Sequence, residues 1–161
     1  MWHSMPGMGD PAWLDEREAA VWQAWLAVQR RLPAELERLL IRDGGLSGAE
    51  YTLLVPLSES PEGVLRAREL GRVVGWERSR LSHQVARMER RGLVVREECA
   101  EDARGSMVRL TDAGRAAIVE AAPGHVDAVR RHFFDVLTPA EIEALGTVFQ
   151  RVLDGLPNDD C

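Results

Sequence analysis

The sequence predicts a mainly α-helical protein with a compact helix-turn-helix and a β-hairpin set between long helices. Three observations carry this. Two short helical patterns, Ala67–Val74 and Arg78–Arg91, flank Gly75, the arrangement of two helices joined by a tight turn. Past Gly92 the period becomes β-like in Leu93-Val94-Val95-Arg96 and again in Met107-Val108-Arg109-Leu110, as expected of paired strands. On either side, apolar residues recur at three- and four-residue steps over long stretches, the signature of amphipathic helices.

Residues 1–10 are rich in Gly, Pro and Met and read as a mobile arm. Over 11–45, Leu14, Val21, Trp25, Val28, Leu32, Leu36 and Leu39 mark one helical face. Pro33 predicts a kink or a split near Arg31–Leu32, since proline lacks the helix donor. Asp43-Gly44-Gly45 ends the pattern. Ser47 with Glu50 three residues later forms a capping box, opening a helix through Tyr51, Leu54 and Leu57. Ser60-Pro61-Glu62-Gly63 reads as a loop. Leu70, Val73 and Val74 face inward on the next helix, and Gly92 suits the C-terminal cap of the one after it.

Between the β-like runs, Glu97–Ser106 is polar and charged, with Gly105 available for a turn. The expectation is a hairpin with a long tip. Helix-turn-helix followed directly by a hairpin is the order of a winged helix, placed at 46–110. Thr111-Asp112 caps a helix running to about Leu137, which Pro123-Gly124 should bend or break. Thr138-Pro139-Ala140-Glu141 is a strong start for the last helix, with Ile142, Leu145, Val148, Phe149, Val152 and Leu153 before Gly155. The flanking regions, 11–45 and 111–161, are expected to be dimerisation helices, since their apolar stripes need cover and a twofold pair is the commonest assembly.

Composition narrows the function. The 161 residues are 45% hydrophobic and 29% charged, ordinary for a soluble globular protein. No apolar run reaches the length of about 18 residues that a membrane span needs, and MWHSMPGMGDP lacks the basic-then-apolar pattern of a signal peptide. The cytoplasm is the expected location. Two cysteines, Cys99 and Cys161, make no disulfide framework. No phosphate-cradling glycine loop, partnered nucleophile or zinc motif is present, so neither an enzyme nor a cofactor is expected.

The net charge is −6, yet its distribution is uneven. From Arg66 to Arg115 there are twelve arginines against eight acidic residues; the rest of the chain has eight against eighteen. A basic third inside acidic flanks points to a polyanion-binding module in a soluble scaffold; a merely solvated charged surface is the competing reading.

The stretch WERSRLSHQVARMERRGLV, Trp76 to Val94, sharpens that choice. With Leu81 at the centre of the buried face, Val85 and Met88 fall within about 40° of it at helical spacing. Ser79, His83, Ala86 and Arg90 fall opposite, flanked by Arg80 and Arg87. One face packs on the protein. The other offers hydroxyl, imidazole and guanidinium groups, the donors that read base edges in a major groove.

Leu70–Gly75, the Ser79–Met88 helix, RRGLVVR and then EDARGSMVRLTDAGR together resemble the MarR family of winged-helix transcription regulators, over roughly Leu46 to Ala117. The resemblance implies a homodimeric regulator, a repressor, on double-stranded DNA at a pseudo-palindromic operator. It implies major-groove contacts from Ser79, Arg80, Ser82, His83 and Arg87. It further implies a wing-tip Arg104 in the minor groove, held by Asp102, and a small aromatic or anionic effector bound between the dimerisation helices and the winged domain. Two departures stand out. Ala103 occupies a position where the family often has arginine, and His83 replaces a frequent Arg or Lys, an exchange expected to make operator binding weaker or mildly pH-dependent.

Other signals are weaker. His125 and His132 lie seven apart, on one helical face, without zinc-ligand spacing. Cys99 sits at the base of the wing, where oxidation would shift the hairpin, but the first helix lacks the cysteine of peroxide-sensing relatives. Trp13, Trp22 and Trp25 read as core or dimer packing, and Trp76 as packing that sets the angle between the two short helices. The alternatives are a dimeric protein-interaction module that has lost DNA binding, and a redox- or metal-responsive regulator.

Overall fold

The structure, a computed structural model, describes residues 13–99 and 102–157, including side chains except those of 98, 99 and 102–105. The expected arm at 1–10 and Cys161 lie outside the described residues, as do the side chains of Cys99, Asp102 and Arg104. Among the described residues six α-helices and three strands follow in the order α1 (Glu16–Gly44), α2 (Gly48–Glu59), β1 (Val64–Arg66), α3 (Ala67–Val74), α4 (Arg78–Arg90), β2 (Val94–Cys99), β3 (Asp102–Leu110), α5 (Asp112–Val129) and α6 (Pro139–Asp154). The chain divides into two compact units, Met1–Glu35 and Leu36–Cys161.

The first unit is helical from Glu16. Its entry is a reciprocal cap: Asp15 Oδ1 accepts from the backbone N–H of Glu18 at 2.8 Å, and Glu18 Oε2 accepts from that of Asp15 at 2.8 Å. This satisfies donors that every helix start leaves open. Of the kink or split expected at Pro33, the split does not occur; α1 is continuous through it. Pro33 and Gln29, whose carbonyl loses its helical donor, are both exposed, so that carbonyl is open to solvent.

In the second unit Ser47 caps α2 as expected, with both halves of the box formed. The buried core gathers Leu40, Leu46, Leu53, Leu54, Leu57, Leu70, Leu81, Val85, Met88, Leu93, Val94, Val108, Leu110, Ile118 and Ala121. Burial of this apolar surface is the main force holding the winged region together. The cluster extends on both sides of 46–110, through Leu40 and through Ala121.

The sheet has the order β1-β3-β2, antiparallel throughout. Strand β1 has no counterpart in the sequence reading. At three residues it is too short to show a period, and it exists as a partner for β3, with Leu65 opposite Val108. The hairpin also differs from expectation. Instead of a long tip, β2 runs to Cys99 and β3 begins at Asp102, with a register shift between Glu98 and Cys99. Charged residues inside this run pair across the strands: Arg109 Nε donates to Glu97 Oε1 at 2.7 Å. Such pairs sustain a solvated ladder without apolar alternation.

Thr111 ties the hairpin to α5. Its Oγ1 donates to the Gly92 carbonyl at 2.6 Å and accepts from the Gly114 N–H at 3.0 Å, while its own N–H reaches the Leu93 carbonyl at 3.2 Å. Packing is so close that a Cβ on Gly114 would stand 2.0 Å from the Leu93 carbonyl oxygen. Of the bend or break expected at Pro123-Gly124, the break does not occur, and α5 continues to Val129. Both Pro123 and Val119, whose carbonyl would have been its partner, are exposed. The irregularity comes later, as a π-helical turn over Arg130–Phe134, closed by a 2.8 Å bond from the Asp135 N–H to the Arg130 carbonyl. Thr138 and Glu141 then form the expected capping box of α6.

Candidate nucleic-acid interface

Helix α4 follows α3 through a turn with little slack. Gly75 takes the left-handed conformation at φ 65°, where residues with a side chain are strained. The Trp76 N–H donates to the Gly71 carbonyl at 2.9 Å. A Cβ on Gly71 would meet the Trp76 carbonyl at 3.2 Å and Leu81 Cδ2 at 3.4 Å. The angle between the two helices is set by these contacts, with Trp76 half-buried against the core.

Leu81, Val85 and Met88 are buried as expected; opposite them Ser79, His83 and Arg90 are exposed and Ala86 half-buried, and Arg80, Ser82 and Arg87 are exposed on the flanks. The sequence reading missed Gln84, which is 3% exposed. The same arithmetic places it about 60° from Leu81, well inside the buried arc. Its Oε1 accepts from Arg87 Nη2. Arg80 is held differently: its guanidinium lies over the Trp76 ring, 4.1 Å from the centroid.

The hairpin grips this helix through Arg96, also missed. Arg96 Nη2 donates to the Ser82 carbonyl at 2.9 Å, Nε pairs with Glu89 Oε2 at 3.0 Å, and its backbone N–H reaches Glu89 Oε1 at 3.1 Å. A groove of about 1000 Å³ opens between α3, α4 and the sheet, with Arg66, Arg68, Arg72, Arg78 and Arg96 along it against Glu69 and Glu77. The signal for these arginines was the charge excess from Arg66 to Arg115; a count alone does not say which of them share a surface.

At the far end of α4, Arg91 Nη1 lies 2.6 Å from Glu50 Oε2, and Nη2 reaches the Gly45 carbonyl at 3.1 Å. Burial pushes the Glu50 carboxyl up, but the Ser47 backbone N–H, the Arg91 guanidinium and the Ser47 hydroxyl together outweigh it and leave it below the ordinary carboxylate range. On the sheet, the hydrogen bond from Arg109 holds Glu97 below its usual value.

Asp102 and Arg104 lie on β3, and Cys99 pairs with Asp102 across the hairpin; their side chains lie outside the described residues. His125 stacks on Tyr51 at a ring separation of 4.3 Å. Its buried Nδ1 has no hydrogen-bond partner among the described residues, and burial lowers its pKa. His132 falls in the π-helical turn and is exposed. Among the described residues no group of three or more His, Cys, Asp or Glu is placed to hold a metal. Trp13, Trp22 and Trp25 are exposed in the single chain, so they form no part of its own core. No helix among the described residues is long and apolar enough to cross a membrane.

Residues 44–105 match the family model of the MarR family. The chain is 44% identical to Sco3205, a MarR family transcriptional regulator from Streptomyces coelicolor solved in complex with DNA, over 94% of this chain and 95% of that one, with a TM-score of 0.87. It is 37% identical to AbsC, a MarR family transcriptional regulator from the same organism, over 90% and 97% of the two chains, with a TM-score of 0.85. The fold is shared more widely: the PcaV regulator of Streptomyces coelicolor, solved with its natural ligand, is 23% identical over 89% and 98%, with a TM-score of 0.67. The chain belongs to the MarR family of transcriptional regulators.

Proposed function

We propose that the chain is a sequence-specific DNA-binding repressor that acts as a homodimer on a pseudo-palindromic operator. The observation that carries this is the division of α4: Leu81, Val85 and Met88 are buried while Ser79, Arg80, Ser82, His83 and Arg87 are exposed together. The close relative solved with DNA supports the same reading. In this reading α4 enters the major groove, Arg104 of the wing reaches the minor groove with Asp102 holding it, and Arg68, Arg72 and Arg78 of the α3–α4 groove meet phosphates. The location is the cytoplasm, and the chain is a regulator rather than an enzyme.

The dimer is supported by apolar surface that the single chain leaves open. Val148, Phe149, Val152, Leu153 and Leu156 are exposed along and just past α6, as are Val21, Trp22 and Leu26 on α1. Exposed large apolar residues grouped on one helix mark an interaction site. Residues 11–45 and 111–161 serve as dimerisation regions and 46–110 as the DNA-binding domain. Half-sites then lie about one helical turn apart. Release by a small aromatic or anionic effector completes the reading, and a thermal-shift screen of such compounds tests that part.

A gel-shift assay with the DNA upstream of the protein's own gene, at about 50 and 200 mM salt, tests DNA binding. A retarded band weakening steeply with salt and resisting non-specific competitor is expected. A protein that remains dimeric yet retards no duplex at the lower salt overturns the proposal in favour of a protein-interaction dimer.

A further inference from the structure

We propose that Trp76 is a positioning residue for specificity: it stacks on the guanidinium of Arg80 and presets that arginine for reading a base. The inference rests on the proposed DNA-binding function and names the device that sharpens it.

The arginines around α4 are restrained in two different ways. Arg91 spends donors on Glu50 and the Gly45 carbonyl, Arg96 on Ser82 and Glu89, and Arg109 on Glu97. Each is fixed by the same N–H groups that would contact DNA. Arg80 is fixed through its face, 4.1 Å above the Trp76 ring, and among the described residues no hydrogen bond or ion pair engages it. A guanidinium carries its five N–H donors in its own plane. Stacking therefore restrains the group while leaving the fork available for a guanine edge, which a salt bridge does not do.

The stacking platform is itself fixed. The Trp76 backbone N–H is bonded to the Gly71 carbonyl, and the side chain packs against the core. Trp76 precedes α4 and Arg80 lies four residues on, one helical turn later. The ring stands at the end of α4 expected to enter the groove first. A free arginine loses rotamer freedom when it docks on a base; here folding has already removed part of that freedom. The benefit falls on contacts needing one orientation. Phosphate contacts, which tolerate many, gain little.

The probe is a duplex selected by the wild-type protein from a random-core library, with a scrambled duplex of equal length as the non-specific reference. Trp76→Leu is expected to weaken binding to the selected duplex by roughly three- to tenfold, the size of a cation–π contact. Affinity for the scrambled duplex and the salt slope should stay unchanged. In an Arg80→Ala background the same change should have no further effect, and Trp76→Phe should fall between wild type and Trp76→Leu. Equal loss on both duplexes, or the same loss with Arg80 already removed, overturns the proposal and leaves Trp76 a packing residue. Should Trp76→Leu unfold, Trp76→Phe with and without Arg80→Ala gives the same decision. Selection of no duplex by the wild type overturns the DNA-binding reading, and this inference falls with it.

Discussion

Arg91 Nη1 and Glu50 Oε2 stand 2.6 Å apart and fasten the last turn of α4 to the first turn of α2. Glu50 thereby serves two elements, since the same carboxylate accepts from the Ser47 N–H at 2.9 Å. Its side chain is only 5% exposed, whereas that of Arg91 is 49% exposed. Glu50→Gln keeps the shape but weakens the charge-assisted bonds, and a loss of about 2 kcal/mol is expected from the cap and the pair together. The pKa of Glu50 is lowered on folding, so its stabilisation is complete above the unfolded carboxylate value and is lost as pH falls through the folded one. Urea melts from pH 7 to pH 3 should show the wild-type advantage over Glu50→Gln shrinking toward the acid end. A constant gap would contradict this.

His125 works against the protein in mild acid. Its pKa is lowered from 6.5 by burial, so the unfolded chain takes up the proton first. Stability should fall as pH drops below about 6.5 and level off once the folded state also protonates. His125→Leu should flatten that part of the curve, read by thermal melts at pH 7.5, 6.5 and 5.5. An unchanged slope would mean the imidazole finds a partner on protonation.

Gly114→Ala should be severe. The added methyl would need the place of the Leu93 carbonyl oxygen, 2.0 Å away, and backbone yields less readily than a side-chain tip. A loss of about 3 kcal/mol is expected, lowering Tm by roughly 6–12 °C for a chain of this size. Differential scanning calorimetry measures it, and a variant melting within about 2 °C of wild type would show that α5 can lift away.

Arg96→Ala separates a tie from a DNA contact. Its partner pair is about one-third exposed on each side, so stability should change by less than about 1 kcal/mol. DNA affinity should fall severalfold as the hairpin loosens from α4, with the salt slope unaltered because its donors are spent on protein. A slope falling by about one unit per half-site would make Arg96 a phosphate contact instead.

His83→Arg should act oppositely. It adds a guanidinium on the exposed face of α4 and should tighten binding while steepening the salt dependence by about one unit per half-site. Fluorescence anisotropy between 50 and 300 mM salt gives both quantities. Unchanged affinity and slope would place position 83 away from the DNA.

Local chemistry made much of this protein legible in advance. The caps at Ser47 and Thr138, the turn at Gly75 and the bounds of α3 all rest on residues whose preferences act within one helical turn. The exposed face of α4 followed from the spacing of Leu81, Val85 and Met88. What escaped was non-local. Strand β1 exists because β3 is there to pair with, and Arg96 matters because the hairpin folds back onto Ser82. Pro33 and Pro123 interrupt neither helix for a related reason. A proline's cost depends on whether the carbonyl it strands can reach water, and exposure is a property of the fold. Spacing alone makes Arg80 a flank of the exposed face and Trp76 a packing residue; that one stacks on the other follows from the turn at Gly75.

The bare Cα of Gly114 has a mechanical meaning. With no clearance at the Leu93 carbonyl and Thr111 bonded to both Gly92 and Leu93, the start of α5 and the root of the hairpin form a stiff coupling. The Arg96 clasp on Ser82 continues this chain of contacts from the hairpin to α4. Where a methyl group would have forced a gap, the chain has a rigid joint.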